Sequence, residues 1–470
     1  MTSACAAICS LGETSRMSDY FVSRRHFLGT AAGALVASRL PFDLAARPMP
    51  SPAQLEWQRD ELAIFIHFGV NTFTNREWGD GTESPSVFAP NRLDARQWAR
   101  SARAAGFRAM VLTAKHHDGF CLWPSKTTRH SVASSPWRGG AGDVVREFVE
   151  ACRAEGLKAG LYLSPWDRHE PSYGDSPRYN DLYCDQLTEL LTQYGSISEV
   201  WFDGANGEGP NGKRQVYDWP RVWGLVRKLQ PNAVMFSDAG PDIRWIGNER
   251  GAAGTTNWST VDLTIVTFPG QQGDDVMRSL QNGDAEGTVW RPGETDVSIR
   301  PGWFYHPAED SKVKSVDDLA QLYFTSVGRN SKLLLNVPPT THGLLHDTDV
   351  SNLAGMRKRL DALFATDVAS SARIAWRATG PRSGTVDIDL GRPMSLEIAR
   401  LEEDIAHGQL VARYALQAQV GDAWREMASG TTIGYCKLDR FEPVTTRRIR
   451  VTILDALEPP RQIRVKLYAP

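Results

Sequence analysis

Four short segments carry the residue types that could do chemistry, and each follows an apolar run. They are His67-Phe68-Gly69, Lys115-His116-His117-Asp118-Gly119-Phe120, Tyr162-Leu163-Ser164-Pro165-Trp166 and Trp201-Phe202-Asp203-Gly204. Asp203 is the sharpest of these. The apolar run Val200-Trp201-Phe202 delivers a carboxylate to a strand end, and Gly204 leaves room beside it. A buried carboxylate flanked by histidines can stay ionised and act as a nucleophile. Nucleophilic attack at a glycosidic carbon needs a second carboxyl group, about 5–5.5 Å away in retaining enzymes. Glu249, in Arg244-Trp245-Ile246-Gly247-Asn248-Glu249, is the best candidate, because Trp245 and Ile246 offer the apolar surroundings that keep a carboxyl protonated. Glu77, Glu83, Glu208, Glu286 and Glu294 also lie in loops, so spacing alone does not single out Glu249.

These segments need a scaffold that brings strand ends together. From about residue 60 the chain alternates a short apolar run with an amphipathic helix. Strands are expected at Leu62–Phe68, Ala109–Thr113, Ala159–Leu163, Glu199–Phe202, Val234–Ser237 and Lys332–Asn336. Helices are expected at Ala95–Ala105, Asp143–Glu155, Asp181–Tyr194, Trp219–Leu229, Leu319–Val327 and Leu353–Phe364. The stretch from Thr255 to Tyr305, rich in Gly, Pro and Trp, reads as irregular. Alternation of this kind implies parallel strands with right-handed crossovers. The span 55–365 suits a (β/α)8-like TIM barrel with insertions, whose active site sits at the C-terminal strand ends. A doubly wound open sheet is the competitor, weakened because no Gly-rich phosphate loop follows any strand. After residue 370 the period changes to two, as in Val386/Ile388/Leu390 and Ile449/Val451/Ile453, so 371–470 reads as a separate antiparallel β-sandwich.

Composition narrows the function classes. Lys+Arg number 53 and Asp+Glu 55, a formal net charge of −2, which gives no reason to expect nucleic acid or an anionic membrane as partner. Fifteen Trp offer flat apolar faces that pack on sugar C–H faces, a mild argument for carbohydrate. Ser23-Arg24-Arg25-His26-Phe27-Leu28-Gly29 precedes an Ala/Gly-rich run too short to span a bilayer, so residues 1–46 are expected to be a twin-arginine export signal. The mature protein is then soluble, away from the membrane, and exported, periplasmic or secreted, by a bacterium-like cell. Beyond that signal four cysteines remain, Cys121, Cys152, Cys184 and Cys436. They match no zinc motif and read as buried thiols, with one disulfide open.

The motifs together resemble the α-L-fucosidases of glycoside hydrolase family 29. The resemblance covers about residues 55–345 and is carried by His67-Phe68-Gly69, Glu77-Trp78, Ala114 to Phe120, Gly160-Leu161-Tyr162 and Glu199 to Gly204. It implies a retaining double displacement without cofactor or metal, acting on a fucosylated oligosaccharide or glycoconjugate. Asp203 matches the family nucleophile. His67, Glu77, Trp78, His116, His117, Tyr162 and Trp201 match residues lining the fucose pocket. Trp245 to Glu249 looks like the acid/base motif of the subfamily specific for α-1,3/1,4-linked, branched fucose, which assigns Glu249. Ser298 to Tyr305 looks like the same subfamily, with Trp303 packing on the sugar and Arg244 near Glu249 or the substrate. Three other readings compete: a broader α-L-fucosidase, a fucose-binding protein without catalysis, and a metal-dependent hydrolase using His67, His116 and His117. The last requires the chain to turn at once after the strand, because neighbouring side chains on a strand face opposite ways.

Overall fold

The computed structural model describes residues 47–469. The expected export signal, residues 1–46, lies outside the described residues. Helix α1 (Pro52–Arg59) leads into β1 (Leu62–Ile66), α2 (Val70–Thr74), α3 (Ala95–Ala104), β2 (Ala109–Lys115) and α4 (Val144–Ala154). Then come β3 (Lys158–Leu163), α5 (Ser176–Gln193), β4 (Glu199–Trp201), α6 (Trp219–Leu229), β5 (Val234–Phe236) and β6 (Arg244–Trp245). The two-stranded pair β7 (Thr260–Val261) and β8 (Val289–Trp290) encloses α7 (Asp274–Asn282). Strand β9 (Gly293–Ser298), α8 (Val316–Thr325), β10 (Ser331–Asn336) and α9 (Asp347–Leu363) complete this part.

Eight strands form one sheet in the order β5-β4-β3-β2-β1-β10-β9-β6, every pair parallel. A single bridge between Phe236 and Ile243 joins its two edges and closes the near-barrel. Alternation sorts the side chains. Ala63, Phe65, Ala109, Val111, Tyr162, Trp201, Val234, Phe236 and Leu334 form an inner cluster. Leu62, Ile64, Ile66, Met110, Leu112 and Leu161 pack outward against the helices. The helices begin where side-chain caps dictate. Asp94, Asp143 and Asp218 accept backbone N–H groups at the starts of α3, α4 and α6, and Ser315 makes a capping box with Asp318 at α8.

Two barrel strands, β6 and β9, fall in stretches where no strand was expected. Strand β6 has two residues. Strand β9 turns Glu294 and Asp296 inward, so its pattern has acidic side chains where a reader looks for apolar ones. The barrel tolerates them because it also buries partners. Trp201 Nε1 donates to Glu294 Oε1 at 3.1 Å, Trp57 Nε1 donates to Glu199 Oε2 at 2.9 Å, and Lys332 Nζ lies 3.8 Å from Glu199. Burial pushes the Glu294 carboxyl well above the ordinary range, and Glu199 beside it pushes in the same direction. This pair shares its negative charge with one lysine.

The C-terminal part is antiparallel, as expected. Strands β11 (Arg373–Gly380), β12 (Ser383–Glu402), β13 (Val411–Val420), β14 (Ala423–Gly430), β15 (Lys437–Ala456) and β16 (Arg464–Tyr468) form one hydrogen-bonded sheet. Register shifts between Asp389 and Met394 and between Leu396 and Ile398 bend its long strands around one core. It does not stand apart from the barrel. Ile398, Ile405, Tyr435, Leu438 and Tyr468 join the core of the barrel helices. Arg400 donates to Glu61 Oε1 at 2.6 Å and to Tyr323 Oη at 3.1 Å, and Asn330 N donates to Cys436 O at 3.0 Å. Glu61 precedes β1 and Asn330 precedes β10, so the sheet docks at the N-terminal strand ends, opposite the expected site. All four cysteines beyond residue 46 are free and buried.

Candidate active site

The site is built at the C-terminal ends of β1, β2, β3, β4 and β9 and on the loops that follow β6 and β9. Asp203 follows β4. Its Oδ2 accepts the Tyr162 hydroxyl at 3.1 Å and its Oδ1 accepts the Ala205 N–H at 2.7 Å, so both oxygens are held. Gly204 does not occupy the left-handed region; its need is closeness, since a Cβ there would fall 2.5 Å from Asp238 Oδ2.

The three histidines converge on Tyr162. The His67 and His116 rings lie 5.5 Å apart, His116 and His117 lie 4.1 Å apart, and His116 stacks on Tyr162 at 5.9 Å. Neighbours 116 and 117 share this mouth because the chain turns immediately after β2. Gly119 N donates to His116 O at 3.0 Å, with Gly119 at φ +80°. A Cβ on Gly119 would meet Asp167 Oδ1 at 2.4 Å, so both angle and space demand glycine.

Hydrogen bonds fix which imidazole nitrogen faces the mouth. Asn336 Nδ2 donates to Ser298 Oγ and to Trp303 O, at 2.9 and 2.8 Å. Its Oδ1, 2.8 Å from His67 Nδ1, therefore accepts from that nitrogen, and His67 Nε2 is left as an acceptor. Ser164 donates its hydroxyl to Trp166 O at 2.6 Å, so His117 Nδ1, 2.7 Å from Ser164 Oγ, is the donor of that pair. Burial pulls all three rings down: His67 to about 3, His116 well below the usual histidine value, and His117 below it despite the opposing pull of Asp203. His116 Nδ1 has no protein partner among the described residues.

Glu249 sits exposed on the loop after β6, and Trp303 Nε1 donates to its Oε2 at 3.3 Å. Partial desolvation of the carboxyl group raises it above the ordinary value, the Trp303 bond opposes, and the charges of Asp203 and Glu77 add to the rise. The loop is held by Asn248 Nδ2, which donates to Ala252 O at 3.0 Å and Gln281 Oε1 at 2.9 Å. A third carboxyl, Asp296 on β9, is buried close by and accepts Trp245 Nε1 at 2.9 Å. Burial and then Glu249 push it well above the ordinary range.

The remaining expected site residues, Glu77, Trp201, Trp78 and Arg244, take distinct places. Glu77 is not a simple pocket wall. Its Oε2 accepts Trp303 N–H at 2.8 Å and its Oε1 accepts Phe304 N–H at 3.0 Å, with His306 Nε2 at 2.7 Å. It therefore positions the segment that carries Trp303. Trp201 lies 6% exposed beneath the mouth, stacked on Phe236 at 4.0 Å, with its N–H spent on Glu294. Trp78 stands 59% exposed at the rim, edge-on to His117 and Trp166 at 6.1 Å. The expectation that Arg244 approaches Glu249 or the substrate is not met. Trp245 takes the inward-facing position, and Arg244 turns outward into a buried socket. Its Nε donates to Leu280 O at 3.0 Å, one terminal nitrogen to Asn257 Oδ1 at 2.6 Å and the other to Arg291 O.

Several members of the site were not singled out in the sequence. Asn336 and Ser164 stand at strand ends and were reachable by the rule that found the histidines. Asp296 and Phe304 lie in the stretch read as irregular. Asp238, which follows β5, depends on a contact with Gly204 that no local pattern announces.

Comparisons with known proteins identify the family and the fold. Residues 43–362 match the family model described as alpha-L-fucosidase. The Alpha-L-fucosidase 1 of Arabidopsis thaliana is 42% identical over 437 residues, covering 87% of this chain and 85% of that protein. A solved glycoside hydrolase 29 family member from an unknown rumen bacterium is 41% identical with a TM-score of 0.84, covering 90% of this chain and 78% of that one. A Ruminococcus gnavus GH29 fucosidase solved in complex with fucose is 31% identical with a TM-score of 0.81, covering 90% and 96%.

Proposed function

This chain belongs to the α-L-fucosidase family, glycoside hydrolase family 29, and from that premise we propose that it is a retaining exo-enzyme releasing terminal α-1,3/1,4-linked L-fucose from branched glycans. The observation that carries the reading is the unequal pair of carboxyls at one barrel mouth. Asp203 is held at both oxygens by Tyr162 and Ala205, while Glu249 is held at one oxygen by Trp303 and raised by partial desolvation. One is built to attack and the other to carry a proton.

In this mechanism the fucose ring sits over Trp201, Tyr162 and the three histidines. His67 Nε2 accepts a sugar hydroxyl, and Trp303 supplies an aromatic wall beside His67, 5.1 Å between ring centroids. An Asp203 oxygen attacks the anomeric carbon as the bond to the leaving oxygen breaks, and Glu249 gives its proton to that oxygen. The resulting glycosyl ester is then attacked by water, which yields its proton to Glu249 and releases Asp203. Two inversions give net retention.

The linkage assignment rests on the Trp245-to-Glu249 motif together with Ser298-to-Tyr305, and it is supported by the hydrogen bond that joins Trp303 to Glu249. The test is fucose release from a Lewis-type branched trisaccharide beside an α-1,2-linked fucosyl disaccharide and a nitrophenyl fucoside. Strong preference for the branched substrate is the expected result. Comparable cleavage of all three would leave a broad α-L-fucosidase and remove the linkage claim. Export through the twin-arginine route is proposed from Arg24-Arg25 and the run that follows. It is checked by the location of enzyme whose Arg24 and Arg25 are both replaced by Lys.

A further inference from the structure

Beyond the fucose pocket, the loop that runs from Asp262 to Gly273 lies against both catalytic elements. Ile265 and Val266 pack with Ala239, Val276 and Leu280, in the same cluster as Trp245 of the Glu249 segment. At the other side Gly270 N donates to Asp238 Oδ2 at 2.8 Å, and Asp238 is 8% exposed. A Cβ on Gly270 would fall 2.2 Å from Gly204 O, so this loop touches the backbone of the residue following Asp203.

The tip is stiff. Phe268-Pro269-Gly270-Gln271 forms a tight turn, with Gln271 N donating to Phe268 O at 3.3 Å and Gly270 at φ +80°. Proline followed by a positive-φ glycine is the signature of a type II turn. Gln271 closes it further, accepting Thr267 N–H at 2.8 Å and donating to Ile265 O at 3.0 Å. On this turn Phe268 is 55% exposed and pairs with no other aromatic ring among the described residues. Its Cα lies two residues from Gly270, hence within about 7.6 Å of the Gly270 Cα, whose other side meets Gly204. The opposite flank of the Asp203 loop is also aromatic. A Cβ on Gly207 would meet the Trp166 ring at 2.2 Å, and Trp166 is 6.1 Å from exposed Trp78.

We propose that Phe268 is a leaving-group platform, whose ring accepts the C–H face of a pyranose in the part of the glycan that departs. The inference rests on the fucosidase reading above. The leaving oxygen receives its proton from Glu249, so the departing sugars emerge on the side where this loop joins the Glu249 and Asp203 segments. A rigid, unpartnered aromatic at that place costs little entropy to use and gives a sugar face a fixed surface to stack on.

The test compares Phe268→Ala with the wild type on two substrates. One is α-L-fucosyl fluoride, whose leaving group is a single atom and reaches no platform. The other is the fucosyl oligosaccharide the wild type cleaves best, so a mistaken linkage changes the choice of substrate and not the test. The expected result is a fall of about three- to ten-fold in kcat/KM on the oligosaccharide with fucosyl fluoride unchanged, and near-normal activity in Phe268→Tyr, which keeps the ring. Equal loss on both substrates, or no loss on either, overturns the platform. So does a wild type that cleaves fucosyl fluoride and no oligosaccharide. A wild type inert on every fucoside instead overturns the proposed function.

Discussion

The Trp303 indole donates its Nε1–H to Glu249 Oε2 at 3.3 Å, and the same residue's backbone N–H is held by Glu77 at 2.8 Å. One residue thus connects the acid/base candidate on the loop after β6 with a carboxylate on the loop after α2. A hydrogen bond of this kind favours the ionised carboxyl, against desolvation, which favours the neutral one. Trp303→Phe keeps the aromatic wall and removes the donor. Glu249 then holds its proton more tightly, and the basic limb of the kcat/KM profile moves to higher pH. Because desolvation raises the Glu249 carboxyl, the wild-type limb is expected above the ordinary glutamate range, with activity falling as pH rises through it because the acid is lost. A pH–rate profile of both enzymes checks this; an unmoved limb argues against Glu249 as the group it reports.

Replacing Asp203 with Ala should abolish turnover while leaving circular dichroism and melting temperature close to wild type, since the side chain's partners are Tyr162 and a loop N–H. Azide, entering the space left by the carboxylate, should restore activity on fucosides with good leaving groups. Near-normal activity in the variant would end the assignment.

Replacing Glu249 with Ala should cost about 10²–10⁴ in kcat on unactivated glycans and far less on fucosyl fluoride, which needs little protonation to depart. Equal losses on the two would place Glu249 outside proton transfer.

Glu77→Ala removes the acceptor of two backbone N–H groups and the partner of His306. The expected effect is displacement of Trp303, with kcat/KM down by about ten-fold or more. Glu77→Gln, which keeps one oxygen, should lose less. A variant that raises KM alone while the pH profile stays put would make Glu77 a direct sugar ligand.

Arg244→Met should unfold more readily and catalyse normally while folded. Its donors satisfy Leu280 O, Arg291 O and Asn257 Oδ1 in a buried socket, so its loss should cost about 3 kcal/mol or more of stability. Thermal melting checks the first part. A selective fall in kcat of the folded enzyme would return Arg244 to the site.

The residues themselves determined more of the chemistry than of the closure of the barrel. Asp203, the three histidines, Tyr162 and Glu249 were legible as candidates because each follows a strong local signal: an apolar strand ending abruptly in a polar group, or a short motif. Strands β1 to β5 and β10 were legible because each carries or adjoins a short run of apolar residues that fills both faces, as in Leu62–Ile66 and Leu333–Leu335. Strand β9 was not, because Glu294 and Asp296 occupy its inward positions and are tolerated only where Trp201 and Trp245 donate to them. Hydrophobic periodicity cannot register a polar interior whose partners come from other strands.

Tertiary structure alone decided what the long-range contacts do. Glu77 is 226 residues from Trp303 in sequence, His67 is 269 from Asn336, and Arg244 is 36 from the Leu280 carbonyl that accepts from it. Whether a carboxylate faces a sugar or caps a distant backbone depends on which N–H groups the fold brings to it, and no local pattern carries that. The sequence alone also marked His116 and His117 as a pair for opposite faces unless the chain turned. The turn at Gly119 and the crowding of Asp167 against it put both rings in one mouth.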